Sequence, residues 1–182
     1  LLGKRRRLFD EFTGQMLNLT PERYTSNSEL KVNPPIADIY FAGSDQIWNT
    51  SHEHGKDPAF YLDFASKSSI RASYAASFSV REIPDEFRPT IYNWLSRFDS
   101  ISVREKSGID ILSSINIKGA QLVVDPVFLV SKTHWLKYTS EESDPFIFVY
   151  DQEKNSDIKK IAIELSKKYQ LKIYAITSLY PM

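Results

Sequence analysis

The stretch Asp38-Ile39-Tyr40-Phe41-Ala42-Gly43-Ser44-Asp45-Gln46-Ile47-Trp48-Asn49 decides how this chain is read. A short apolar run breaks at Gly43, and a dense polar cluster follows. A buried strand emptying into a binding loop has this pattern. In an open α/β sheet, ligands sit in the crevice outside the carboxyl ends of the strands. Ser44, Asp45 and Gln46 fall just past such an end.

Outward from this point, apolar runs alternate with helical periods. Leu8 to Leu17 reads as a short amphipathic helix, and residues 20–35 as polar and turn-rich, ending in Pro34-Pro35. Ile39 to Ala42 is the first predicted strand and Ile70 to Phe78 the second. Phe87, Ile91, Leu95 and Phe98 recur at helical spacing, with the start set near Arg88 by Pro89. Ile101 to Val103 reads as a strand, Glu105 to Leu112 as a short helix, and Leu122 to Val124 as a strand stopped by Asp125-Pro126. Ser131 to Pro145 reads as a polar connector. Phe146 to Tyr150 and Ile173 to Ile176 are strands flanking a helix whose face carries Ile158, Ile161, Ala162 and Leu165, with Lys167-Lys168 at its C-terminal end. Repeated β-α-β order implies an α/β fold, a mostly parallel, Rossmann-like sheet with helices on both faces. The expected domains are 1–130, a connector over 131–145, and the opening β-α-β of a second domain over 146–182.

If the strands are parallel neighbours, the residues after each line one edge. These are Gly43, Ser44, Asp45 and Gln46, then Ser77, then Arg104 and Glu105, then Asp125. Each has a structural reading beside a functional one. Asp125 before Pro126 suits a turn or cap. Glu105 suits the positive end of the next helix. Ser77 can simply end its strand, and Asp45 can cap a turn beginning near Gln46. Arg104 is either an ion-pair member or an anion clamp. Its planar fork donates two parallel hydrogen bonds to phosphate or carboxylate.

Composition excludes several classes. The 182 residues are 42% hydrophobic and 25% charged, as in ordinary globular proteins. Lys plus Arg and Asp plus Glu are equal at 23 each, so no basic excess points to nucleic acid. The run Lys4-Arg5-Arg6-Arg7 reads as the solvated face of a helix. There is no cysteine. That excludes disulfides, thiolate metal sites and a thiol nucleophile, and it suits a reducing cytoplasm. No apolar run reaches the ~20 residues that span a membrane, and no signal peptide is visible. Asn18-Leu19-Thr20 and Asn49-Thr50-Ser51 match the glycosylation sequon, which arises often by chance. His52 and His54 stand in a polar loop without further metal ligands, His134 lies beside Trp135, and no metal site is expected. No triad order, Walker loop or GxGxxG motif is present. The chain opens at Leu1 and stops at Pro181-Met182 after a strand-like run, which reads as part of a longer protein.

Five separated words then stand in order. They are Gly43-Ser44-Asp45-Gln46-Ile47-Trp48-Asn49, Phe60-Tyr61-Leu62-Asp63-Phe64, Ser73-Tyr74-Ala75-Ala76-Ser77-Phe78, Ile101-Ser102-Val103-Arg104-Glu105, and Val124-Asp125-Pro126-Val127-Phe128-Leu129 with Trp135 shortly after. In this order they resemble the polysaccharide pyruvyl transferases, over roughly residues 8 to 177. The resemblance implies a GT-B-like architecture, two Rossmann-like domains facing across a cleft. It implies transfer of the enolpyruvyl group of phosphoenolpyruvate onto a sugar of a cell-surface polysaccharide or its precursor, a saccharide or lipid-linked saccharide acceptor, leaving a pyruvate ketal, with phosphoenolpyruvate as donor substrate and no cofactor. It also implies a cytoplasmic enzyme able to work at the inner face of the membrane by peripheral contact.

The family's initial glycine-rich turn and its Ser-Phe-His type motif in the second domain are absent from this stretch, so this stretch alone is expected to be inactive. Under the resemblance, Arg104 is the donor clamp and Asp45 the general base. Gly43, Ser44, Gln46, Ser77, Glu105 and Asp125 line the substrate site. Gly43 permits close backbone approach to a ligand. Trp48, Phe60 and Tyr61 suit either the core or stacking on a sugar or lipid carrier. A nucleotide-sugar glycosyltransferase of the same architecture and a non-catalytic saccharide-binding protein are the alternatives.

Overall fold

The apolar run Ile39–Ala42 forms strand β1 and pairs in parallel with β2, Ile70–Ser73, in the register Ile39↔Ile70 through Ala42↔Ser73. The computed structural model describes residues 2–139 and 144–177. Before β1 come helices α1, Leu2–Met16, and α2, Asn27–Val32. After β2 follow α3, Arg88–Leu95, β3, Ser102–Val103, α4, Lys106–Ser114, and β4, Gln121–Leu122. β3 and β4 pair in parallel, and isolated parallel bridges Ala72↔Ser100 and Ala76↔Val103 tie β2 to β3. The four strands therefore lie in chain order and point the same way.

That order has a consequence for coverage. Right-handed crossovers between consecutive, adjacent parallel strands all fall on one face of the sheet. One face accordingly carries a core that includes Trp48, Tyr61, Phe78, Ile91, Leu95, Val103, Ile111 and Leu112, each essentially buried. Burying each large side chain stabilises by roughly 1.5–3 kcal/mol. The opposite side of β1 and β2 carries Ile39, Phe41 and Ile70, which stay 46%, 67% and 47% exposed. Helices on both faces, as the β-α-β pattern led us to expect, are thus not seen here among the described residues.

Two other expectations change. The turn-rich residues 20–35 contain helix α2, capped by Ser26, whose Oγ accepts from Glu29 N at 3.2 Å, while Glu29 Oε2 accepts from Thr25 N, just before the cap, at 2.6 Å. The run 70–78 is a strand only to Ser73. Ala75 takes a left-handed φ of 56°, and the chain leaves the ladder there.

The chain divides into two compact units, Leu1–Ser131 and Lys132–Met182. In the second unit, α5, Lys132–Trp135, begins what reads as a connector. The parallel pair β5, Phe146–Asp151, and β6, Lys172–Thr177, flanks α6, Ser156–Tyr169. Asn155 caps α6 through Asp157 N at 2.8 Å. The acidic stretch Ser140-Glu141-Glu142-Ser143 and the terminal Pro181-Met182 lie outside the described residues. The chain is of the α/β class, built from helices and small parallel sheets.

Candidate functional site

Because β1 to β4 run parallel, their carboxyl ends share one edge, and the polar words of the sequence meet there. The loop after β1 is set by Gly43. Its φ is +140°, and a Cβ built on it would lie 2.1 Å from the carbonyl oxygen of Tyr74. The close approach that requires glycine is therefore to the chain leaving β2. The peptide bond between Gly43 and Ser44 is cis. The two loops are stitched together beyond this point. Ser77 N donates to Asp45 O at 3.1 Å, and Trp48 N donates to Ser77 O at 3.1 Å. Ser77 itself is 2% exposed, so it holds backbone against backbone at the edge.

Arg104 is the centre of the charged groups. Its backbone N–H donates to Ala76 O at 3.3 Å, which places it at the end of β3. Its guanidinium reaches Asp125 Oδ2 at 2.9 Å, Asp45 Oδ1 at 3.5 Å and Glu105 Oε2 at 3.8 Å. Ser44 Oγ donates to the same Asp125 oxygen at 3.4 Å. Asp125 also caps the short helical turn Pro126–Leu129 by accepting from Val127 N at 3.1 Å. It is thus the turn cap that the sequence suggests, and its other carboxylate oxygen pairs with Arg104. That backbone hydrogen bond, with the Arg104 contact and the Ser44 hydroxyl, holds its carboxyl below the usual aspartate range.

Glu105 stands at the N-terminal boundary of α4 but does not cap it with its side chain. Instead Oε1 accepts from Phe78 N at 2.9 Å and Ser79 N at 3.3 Å. It fastens the loop after β2 to the start of α4. Asp45 is different: its side chain is 87% exposed and makes one long contact, to Arg104. It does not cap a helix, and the chain after it continues in turns. Gln46 is spent locally: Oε1 accepts from Asn49 Nδ2 at 3.0 Å, and its carbonyl accepts from His54 Nε2 at 2.9 Å.

The structure thus brings Ser44, Asp45, Arg104, Glu105 and Asp125 together, while Gly43, Gln46 and Ser77 shape the loops. The stackable aromatics separate in the same way. Trp48 and Tyr61 are fully buried and stacked at 5.8 Å, and Trp48 Nε1 donates to Phe60 O at 3.1 Å. Burial pushes the Tyr61 hydroxyl far above its ordinary pKa. Phe60 is 39% exposed. It lines a cavity of about 330 Å³ together with Asp45, Gln46, Ile47, His52 and His54. The two histidines were weak signals in the sequence, and their placement beside Asp45 was not foreseen. Among the described residues no group of three or more His, Cys, Asp or Glu is arranged to hold a metal ion, and no helix is long and apolar enough to cross a membrane.

Charged groups collected at the carboxyl edge of a parallel sheet, over a one-sided core, define an α/β protein with a charged cluster on its strand-end loops. A family model for polysaccharide pyruvyl transferase matches residues 5–180, and the chain belongs to that family. No curated protein and no solved structure matches it. The family is one of transferases in polysaccharide biosynthesis, which implies a saccharide acceptor.

Proposed function

We propose that this protein transfers the pyruvyl group of phosphoenolpyruvate to a saccharide or lipid-linked saccharide, forming a pyruvate ketal at the cytoplasmic side of the membrane. The observation that carries the reading is Arg104, held at a parallel-sheet edge in a chain of the pyruvyl transferase family. One acceptor hydroxyl adds to the phosphate-bearing enol carbon of phosphoenolpyruvate, and its proton's equivalent makes the methylene a methyl group. A second hydroxyl then displaces phosphate, whose departure carries the second proton. No cofactor enters this balance.

In this reading Arg104 clamps the anionic donor, and Asp45 is the base that deprotonates the acceptor hydroxyl. Exposure of the Asp45 carboxylate supports that role, because a base must reach its proton. Asp125 and Glu105 aim the guanidinium from two sides, and Ser44 completes the contact to Asp125. Three carboxylates around one guanidinium leave a net negative cluster. A donor carrying both phosphate and carboxylate therefore needs further cations. The reading draws them from elsewhere in the full-length protein.

The test is calorimetric titration of phosphoenolpyruvate into the full-length enzyme, with inorganic phosphate and a nucleoside diphosphate as competitors. Binding that disappears in Arg104→Ala supports the reading. Asp45→Asn is expected to lower turnover with donor affinity kept. Nucleoside diphosphate binding without phosphoenolpyruvate binding overturns it in favour of a nucleotide-sugar glycosyltransferase.

A further inference from the structure

Asp45 belongs to two features at once: the ion pairs of Arg104 and the wall of the cavity formed with Gln46, Ile47, His52, His54 and Phe60. The proposed donor reading uses none of the second feature's residues except Asp45. Its volume of about 330 Å³ lies at the small end of ligand pockets, which run from roughly 300 to 1,000 Å³. Its lining combines flat rings with polar edges. His52 and His54 stack at 5.3 Å with 14° between their planes, and His54 meets Phe60 edge-on at 5.8 Å.

The walls are fixed before any ligand arrives. The carbonyl of Gln46 has no proton to give, so His54 Nε2 must donate in their 2.9 Å contact. In the neutral ring this leaves Nδ1 as the hydrogen-bond acceptor. The loop carrying the histidines is braced by Ser51 N to Asn49 Oδ1 at 3.0 Å, His52 N to Asn49 O at 3.0 Å and Gly55 N to His52 O at 3.2 Å. Tyr61 Oη donates to Gly55 O at 2.7 Å from the buried core. Phe60 is anchored through its backbone by the Trp48 indole, so its ring is free to serve the cavity.

We infer that this cavity is the acceptor subsite and holds one pyranose ring of the saccharide, with a hydroxyl presented to Asp45. A pyranose has an apolar C–H face and a rim of hydroxyls. The Phe60 and His52 rings match the face, and imidazole, carboxamide and carboxylate match the rim. The inference rests on the pyruvyl transfer reading for its reaction but not for its binding step, and the two are tested apart.

The experiment is saturation-transfer NMR on the full-length protein, with methyl glycosides of glucose, galactose, mannose and N-acetylglucosamine as probes, and separate calorimetry with phosphoenolpyruvate. At least one glycoside is expected to bind. The double variant His52→Ala, Phe60→Ala should weaken it about tenfold or more, as loss of about 1.4 kcal/mol requires. Phosphoenolpyruvate affinity should stay unchanged in that variant, and glycoside binding should survive Arg104→Ala. His52 is exposed and Phe60 partly so, so the fold tolerates both changes. The single His52→Ala variant repeats the test should the double variant melt early. Absence of glycoside binding, or binding undiminished in these variants, overturns the subsite while leaving the donor reading standing. Glycoside binding without phosphoenolpyruvate binding overturns the donor reading while leaving the subsite.

Discussion

Gly43→Ala is the most decisive perturbation of the site's scaffold. The added Cβ would meet the Tyr74 carbonyl oxygen at 2.1 Å, its carbon at 3.0 Å and the Tyr74 nitrogen at 3.3 Å. The obstacle is backbone, which cannot rotate away as a side chain can. Tyr74 N also donates to Ala42 O at 3.0 Å, so retreat of Tyr74 breaks the end of the β1–β2 ladder. Forcing a methyl group into packed structure costs about 1–3 kcal/mol. A non-glycine residue in a sparsely populated φ/ψ region adds about 1–3 kcal/mol. The sum is about 2–6 kcal/mol, a large share of the roughly 5–15 kcal/mol that stabilises a domain. Urea denaturation followed by Trp fluorescence reads this directly, since Trp48 sits beneath the same loop. Gly14→Ala is the matched control. It lies in α1 with nothing within 4 Å of the new methyl group, and is expected to stabilise by about 0.5–1 kcal/mol. A loss below about 1 kcal/mol in Gly43→Ala, within the ordinary range for any substitution, would refute the backbone-crossing argument.

Three further outcomes follow from the packing. The Asp63 side chain, 13% exposed, accepts from Lys31, from Arg97 at 2.9 Å and from Asn27 at 3.2 Å. Burial raises its pKa, but these donors outweigh burial and hold it below the ordinary value. Its contribution is therefore complete at neutral pH and is lost as pH falls through the usual carboxylate range to the folded value. Asp63→Asn should cost about 1.5–3 kcal/mol at pH 7 and flatten the acid limb of the stability profile; an unchanged acid limb would count against the cluster. Glu105→Ala should leave the Phe78 amide unsatisfied at about 1–3 kcal/mol and speed its hydrogen exchange, whereas unaltered protection would sink the fastening role. Leu112→Ala, at a fully buried position, should cost about 2–5 kcal/mol by thermal denaturation, and a smaller loss would show that the core re-closes around it.

Much of this was legible in local sequence. Ile39 to Ala42 reads as a strand because an apolar run ends at a glycine, and β1 has those bounds. Helix α6 reads from its period and from lysines in its last turn, and it begins after Asn155. Helix α2 was legible as well, since Ser26 and Glu29 stand at capping-box spacing, but the surrounding turn residues obscured it. The early end of β2 was not legible, because nothing local forces Ala75 into the left-handed region. Within the candidate site, the gathering of Ser44, Asp45, Arg104, Glu105 and Asp125 follows from parallel strands alone. The division of labour among them does not. That Glu105 binds backbone amides, and that Gly43 answers to Tyr74, depends on tertiary crossings between segments about 30 residues apart. The Asp63 cluster is illegible for the same reason, since its partners come from α2 and from the chain after α3.

The backbone exchange between Asp45, Ser77 and Trp48 bears on how this edge tolerates change. The Ser77 side chain takes no part in this exchange, so the exchange itself does not depend on which residue stands there. Chain length is another matter. One residue added or removed between Ser73 and Ser77 would shift which amide faces the Asp45 carbonyl and swing its carboxylate away from Arg104. Among natural variants of this chain, the segment joining β2 to this contact should therefore vary in letters but keep its spacing.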